Sequence, residues 1–281
     1  MENNTLYCFI GAGSVAEAII SGIIREGKAA PGEIAVINRQ NRDRLQSLIQ
    51  RFQIRCPEEE KVETIRNARN LILAVKPKDM ADALRQWGSA IHSGQRVISV
   101  VAGLSTSWIE ERLAPGTTVI RAMPNTSSMV GRSATALCPG RHAGEKDLEE
   151  ARRTFDAIGS TVTVEEQHMD TVTGLSGSGP AYIYYMVEAL EQAGITQGLD
   201  QQIVRQLTLQ TLVGAAHMLL ETGEAPAELR KKVTSPGGTT MAALETLDSH
   251  QFQQALIHAV SRAKERSKEL GEAWNTPSVR T

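Results

Sequence analysis

Hydrophobic and polar positions alternate along the first half of the chain in a repeating strand and helix rhythm. Short apolar runs fall at Leu6–Ile10, Glu33–Ile37, Leu71–Val75, Arg96–Val101, Thr117–Ala122, Ser133–Cys138 and Thr161–Val164, with a further short strand near Ile54. Between them lie amphipathic stretches near 43–52, 62–67, 80–87, 105–113 and 145–158. Runs of four to six apolar residues read as strands buried on both faces, and strands alternating with helices predict a doubly wound parallel sheet. From about Glu166 the strand pattern stops and helical periodicity takes over. Helices are expected at 181–194, 200–222, 227–233, after Gly238, and at 251–270. Several look apolar on more than one side, as in Tyr182–Val187 and at Leu207, Leu209, Leu212, Val213, Met218, Leu219 and Leu220. Such faces suit burial against a second subunit. The chain therefore divides into an α/β domain at 1–165, an all-α domain at 166–273, and a tail at 274–281 expected to be disordered.

The join between the first strand and the first helix carries the first chemical signal. Gly11, Ala12, Gly13, Ser14, Val15 and Ala16 form a G-x-G-x-x-A turn directly after an apolar strand. Gly11 allows a tight turn, Gly13 lets a pyrophosphate approach the backbone, and Ala16 permits close helix packing. Val15, Ile19 and Ile23, with Ala16, Ile20 and Ile24, then supply a helical apolar face. This is a dinucleotide-binding turn. A second glycine pattern, Gly22 to Ala29, nearly spells a phosphate loop. It lies within a helix and has alanine where the magnesium-binding hydroxyl belongs, so Gly27 reads as the helix end.

The second strand ends in Asn38 and Arg39, where NAD-binding chains usually place an acid for the ribose hydroxyls. Arg39 matches a 2′-phosphate instead, which predicts NADPH as cofactor, with NADH a weaker alternative. Ligands of such sheets sit beyond the carboxyl ends of the strands. That rule adds Ala74, Val75, Lys76 and Pro77, then Ala102 and Gly103, then Met123, Pro124 and Asn125.

The helical half holds one loop of the same kind. Ser235, Pro236, Gly237, Gly238, Thr239 and Thr240 lead into the apolar helix Met241–Leu247. Free N–H groups at such a start attract an anion, and three hydroxyls surround the same point. A small carboxylate fits there, with one hydroxyl left for the neighbouring atom. An ordinary capped helix reads similarly, but the first domain binds a dinucleotide, which favours a substrate loop. Hydride transfer needs no protein nucleophile. A ketone acceptor would normally require a Lys or His donor, with Lys232 the candidate; a C=N acceptor needs only a hydroxyl such as that of Thr240.

Composition narrows the classes further. The 281 residues carry a formal net charge of −2 and 41% hydrophobic residues. This gives no nucleic-acid footprint and no polybasic membrane signature. No apolar run reaches membrane-spanning length, and no signal peptide precedes the first strand. Cys8, Cys56 and Cys138 are scattered and odd in number, so neither disulfides nor a metal site is expected, and a reducing cytoplasm is the natural setting.

Taken together, Phe9–Ala18, Asn38–Arg39, Ala74–Pro77, Met123–Thr126, Ser176–Tyr182 and Val233–Thr240 resemble pyrroline-5-carboxylate reductase over roughly residues 5–270. The resemblance implies an α/β N-terminal Rossmann-type doubly wound parallel sheet followed by an all-α C-terminal dimerisation domain. It implies NADPH-dependent reduction of 1-pyrroline-5-carboxylate to L-proline, the last step of proline biosynthesis, in a homodimer or a higher homo-oligomer such as a decamer. Carried over by motif, Gly11–Ala16 meet the pyrophosphate, and Asn38 and Arg39 the 2′-phosphate. Ala74, Val75, Lys76 and Pro77 border the ribose and adenine side. Ala102, Met123, Pro124 and Asn125 lie near the nicotinamide. Ser235, Gly237, Gly238, Thr239 and Thr240 hold the substrate, and Thr240 is the catalytic hydrogen-bond donor to the imine nitrogen. Val15 stands where the family often has methionine, and Glu58–Lys61 lack an asparagine often found there.

Overall fold

A computed structural model of the chain describes residues 5–39 and 41–275. The alternation expected of the first half is present: β1 (Tyr7–Ile10), α1 (Ser14–Arg25), β2 (Ile34–Ile37), α2 (Arg42–Phe52), α3 (Lys61–Asn67), β3 (Asn70–Leu73), α4 (Met80–Trp87), β4 (Arg96–Ser99), α5 (Thr106–Glu110), β5 (Thr118–Met123), β6 (Ser133–Pro139), α6 (Glu145–Asp156) and β7 (Gly159–Thr163). The seven strands form one sheet in the order β2-β1-β3-β4-β5-β6-β7. Side chains alternate across it with period two. Phe9, Val36, Ile72, Ile98 and Ile120 face α1 and α6, while Cys8, Ile10, Ala35, Leu71, Leu73, Val97 and Val119 face α3, α4 and α5. Both faces are covered, which is why these strands read as unbroken apolar runs.

Three details depart from the sequence reading. β6 runs antiparallel to β5, and β7 is parallel to β6. The link 124–132 holds only a single helical turn, Thr126–Val130, and a parallel crossover needs about a dozen residues or more. The strand expected near Ile54 is a lone bridge between Ala35 and Arg55. Pro57, which has no N–H to donate, follows closely. α5 stops at Glu110 rather than Leu113. Pro115 follows and pushes Ala114 out of the helical region.

Beyond β7 the described elements are helical: α7 (Met169–Val172), α8 (Gly179–Thr196), α9 (Gln201–Thr222), α10 (Pro226–Lys232), α11 (Thr239–Ser249) and α12 (Phe252–Asn275). A single π-helical turn, Thr173–Gly177, joins α7 to α8. Asp200 caps α9 through the N–H of Gln202 at 2.8 Å. Contacts divide the chain into two compact units, one comprising the chain up to Ser178 and from Arg262 onward, the other Gly179–Ser261. The expected disordered tail, 274–281, lies outside the described residues except for the backbone of Trp274 and Asn275, which ends α12.

The second unit is nearly coreless as a single chain. Val204 is the one buried residue of α9. Tyr185 is 78% exposed and Leu220 is 81% exposed. Apolar faces this open mark an interaction surface.

The first unit buries Cys8 and Cys138 and half-buries Cys56. Burial pushes Cys8 and Cys138 from an ordinary 9.0 up to about 12, and Cys56 up to about 11. Below pH 9 both native and unfolded chains keep these protons. Above it the unfolded chain loses them first, so this contribution to stability falls as pH rises from 9 towards 12. Iodoacetamide at pH 8 is expected to spare Cys8 and Cys138 in the native chain and to label them in urea, as read by peptide mass; equal labelling in both states would contradict their burial.

Candidate active site

The G-x-G-x-x-A turn has the backbone that its residues predict. Gly11 sits at φ +114°, and a Cβ there would lie 2.4 Å from the Ala74 carbonyl oxygen. Its N–H donates to Ile37 at 2.8 Å, which ties the turn to the end of β2. Gly13 precedes α1 with extended backbone, and no side chain caps that helix. A Cβ on Gly13 would meet no atom within 4 Å, so the approach to the backbone is open. Ser14 is exposed, Val15 half-buried, and Ala16 fully buried against the sheet. Gly27, at φ +63°, follows the end of α1, as the sequence indicates. Replacing Gly11 with alanine is expected to cost about 2–4 kcal/mol by combining strain with a backbone clash. Thermal denaturation checks this; an unchanged midpoint would mean that the turn relaxes freely.

A cleft of about 260 Å³ opens beside this turn. Gly11, Asn38, Arg39, Val75, Asp79 and Trp87 are among its lining residues. Asn38 accepts from the Arg39 N–H at 2.7 Å. The Arg39 guanidinium is over half exposed and lies 3.8 Å from Asp82. An exposed pair of this length is weak, which leaves Arg39 available to a phosphate. The turn, the uncapped α1 start and the exposed arginine together fit an NADP dinucleotide. Lys76 is exposed, and Pro77 opens a helical turn leading to α4.

At the carboxyl ends of β4 and β5 the structure gathers residues that the sequence left apart. Asn125 donates to the Ser176 carbonyl at 3.1 Å and accepts from the Ser127 N–H at 3.1 Å. The π turn thereby lies against Met123–Asn125, and a Cβ on Gly177 would come within 2.8 Å of the Met123 methyl. The loop Ala102–Gly103 packs under the last turns of α12: a Cβ on Gly271 would meet the Gly103 carbonyl at 2.5 Å. Ser267 donates to Asp170 at 2.7 Å on the same side. Glu166 accepts from the N–H of Thr106 at 2.9 Å and pairs with buried Arg121 at 2.5 Å. None of the contacts made by Glu166, Ser176 or Gly271 has a periodic signature; only the glycines and the Ser176–Pro180 run mark those places in the sequence.

In the second unit, Gly237 adopts φ +70°, and Gly238 precedes α11 with extended backbone. A Cβ on Gly238 would sit 2.4 Å from the Ser235 hydroxyl. No side chain caps the N-terminus of α11, although Ser235, Thr239 and Thr240 surround it in sequence. Its first N–H groups have no side-chain cap, unlike those of α2, where Asn41 accepts from the Arg44 N–H.

The fold and the open glycine turn define a dinucleotide-binding oxidoreductase of two units. The comparisons agree: residues 6–103 match the family described as NADP oxidoreductase coenzyme F420-dependent, and residues 166–270 match pyrroline-5-carboxylate reductase dimerisation. Pyrroline-5-carboxylate reductase 1 of Bacillus subtilis (strain 168) is 45% identical over 264 residues, covering 94% of this chain and 89% of the relative. The pyrroline-5-carboxylate reductase of Methanosarcina acetivorans is 40% identical over 272 residues, covering 97% and 100%. Among solved structures, a pyrroline-5-carboxylate reductase from Coxiella burnetii superposes with a TM-score of 0.87 at 35% identity, covering 95% and 99% of the two chains. Plasmodium falciparum pyrroline carboxylate reductase with NADP bound gives 0.85 at 26% identity, covering 96% and 99%. The chain belongs to the pyrroline-5-carboxylate reductase family.

Proposed function

We propose that this protein reduces the C=N bond of 1-pyrroline-5-carboxylate to L-proline with NADPH, the last step of proline biosynthesis. The observation that carries the reading is the side-chain-free N-terminus of α11, preceded by Gly237 and Gly238 and bracketed by three hydroxyl residues. Its N–H groups accept the substrate carboxylate. Ser235, Gly237, Gly238 and Thr239 shape that seat, and the Thr240 hydroxyl donates to the ring nitrogen. When bound, the cofactor supplies the hydride. The Gly11–Ala16 turn holds its pyrophosphate, and Asn38 and Arg39 its 2′-phosphate. Ala74, Val75, Lys76 and Pro77 border its ribose and adenine side. Ala102, Met123, Pro124 and Asn125 fix the nicotinamide end, with Asn125 held by Ser176.

The domain division follows the same reading: 1–165 binds the cofactor, and 166–273 serves dimerisation and substrate binding. The open apolar faces of α8 and α9 support a homodimer, and higher assembly such as a decamer builds on it. No described helix is long and apolar enough to cross a membrane. A cytoplasmic setting and the absence of nucleic-acid partners fit the composition and the free cysteines.

The test is NADPH oxidation by the purified chain with pyrroline-5-carboxylate, beside the six-membered cyclic imine acid. Turnover with proline as product is expected. Cofactor binding without turnover on either ring would overturn the substrate assignment and leave the α11 loop in need of another anion.

A further inference from the structure

The proposed pyrophosphate turn has an acid beneath it. Glu17 lies in the first turn of α1, with a side chain only 7% exposed. A carboxylate this close to an anion site repels the anion unless it is neutralised, and burial weakens screening by solvent. Two arginines of α2 neutralise it: Arg44 and Arg51 both pair with the Glu17 carboxylate.

Arg44 does more than neutralise. Its Nε donates to the Ala12 carbonyl at 2.8 Å. In a trans peptide the carbonyl and the next N–H point in opposite directions. Holding the Ala12 carbonyl towards α2 therefore turns the Gly13 N–H away from α2, and keeps that carbonyl's negative end away from an approaching phosphate. Arg44 itself is fixed at the start of its helix, where its N–H bonds to Asn41 at 2.9 Å. α2 begins just after Asn38 and Arg39.

We propose that Arg44 is a positioning residue for cofactor binding: it cancels the charge of Glu17 and sets the Ala12–Gly13 peptide so that the turn accepts a pyrophosphate. The inference rests on the reading of Gly11–Ala16 as the pyrophosphate seat. Arg51, over half exposed, makes only the outer half of the neutralisation.

The charge logic gives a pattern of signs that a purely structural role does not. NADPH dissociation constants are measured on the full chain by fluorescence titration at low salt, for wild type, R44Q, R44K, E17Q and the double variant E17Q/R44Q. R44Q is expected to weaken NADPH by about tenfold, and R44K to recover part of the loss. E17Q alone is expected to tighten binding by about threefold, because it frees two cations beside the anion. The double variant recovers the part of the R44Q loss that comes from the uncancelled Glu17 charge but not the part that comes from the freed Ala12–Gly13 peptide, and the charge-derived differences shrink at high salt. Binding of adenosine 2′-monophosphate, which has no pyrophosphate, stays within about twofold throughout. If the pair were only a structural brace, E17Q would weaken NADPH in step with a lowered melting temperature, and that result overturns the proposal. R44Q binding as tightly as wild type overturns it too, while leaving the pyrophosphate reading intact. A wild-type chain that does not bind NADPH overturns both.

Discussion

Replacing Arg39 with aspartate is expected to move the ratio of kcat/KM for NADPH over NADH by about 100-fold or more towards NADH. Two terms add. The guanidinium bond to a 2′-phosphate is lost, and a charge-assisted bond of this kind contributes about 1.5–3 kcal/mol. The introduced carboxylate then joins Asp82, which lies 3.8 Å from the present guanidinium, and the two acids repel the phosphate together. The same acids can accept from a 2′-hydroxyl, so NADH does not suffer equally. The present Arg39–Asp82 pair opposes this little, since both side chains are about half exposed and such pairs are worth about 0–1 kcal/mol. Initial rates with each cofactor at fixed substrate decide the matter. An unchanged ratio would shift the phosphate contact to Arg42, whose pairing with Glu58 at 3.8 Å is more exposed still.

Thr240→Ala is expected to lower turnover by about 10- to 100-fold, the scale of losing one donor to charge developing at the reacting atom. NADPH affinity should change by less than about twofold, because the proposed Thr240 contact is to the substrate and not to the cofactor. Thr240→Ser keeps the hydroxyl and should retain most of the rate. Single-turnover rates beside NADPH titration separate the two effects. Full activity in the alanine variant would remove Thr240 from the chemistry and leave ring-nitrogen contact to Ser235 or Thr239. A loss that appeared only in KM would make Thr240 a carboxylate contact instead.

Sequence alone determined the parts of this protein whose physics is local. An apolar strand followed by glycines at fixed spacing can form only a few turns, and a tight turn at Gly11, where φ is +114°, is one that glycine allows. Strand and helix periods follow from backbone geometry, so the strand and helix alternation of the first half, the helical second half and the Gly237–Gly238 turn were legible. The place of Arg39 just past the end of β2 was legible, because it depends on one strand alone. What depends on meetings between distant segments was not. The reversal of β6 came from a connection too short to cross back, a consequence of length in space that apolar runs do not encode. Glu17 reads as an ordinary first-turn acid until α2 folds over it with Arg44 and Arg51. Gly271 reads as a helix weakener until its missing Cβ proves to be the room that Gly103 needs. Asn125 and Ser176 stand 51 positions apart and share no pattern. Side-chain periodicity reports which face of an element is buried, while partners across the fold are chosen by packing and by the requirement that buried polar groups be paired, and only the tertiary structure settles those.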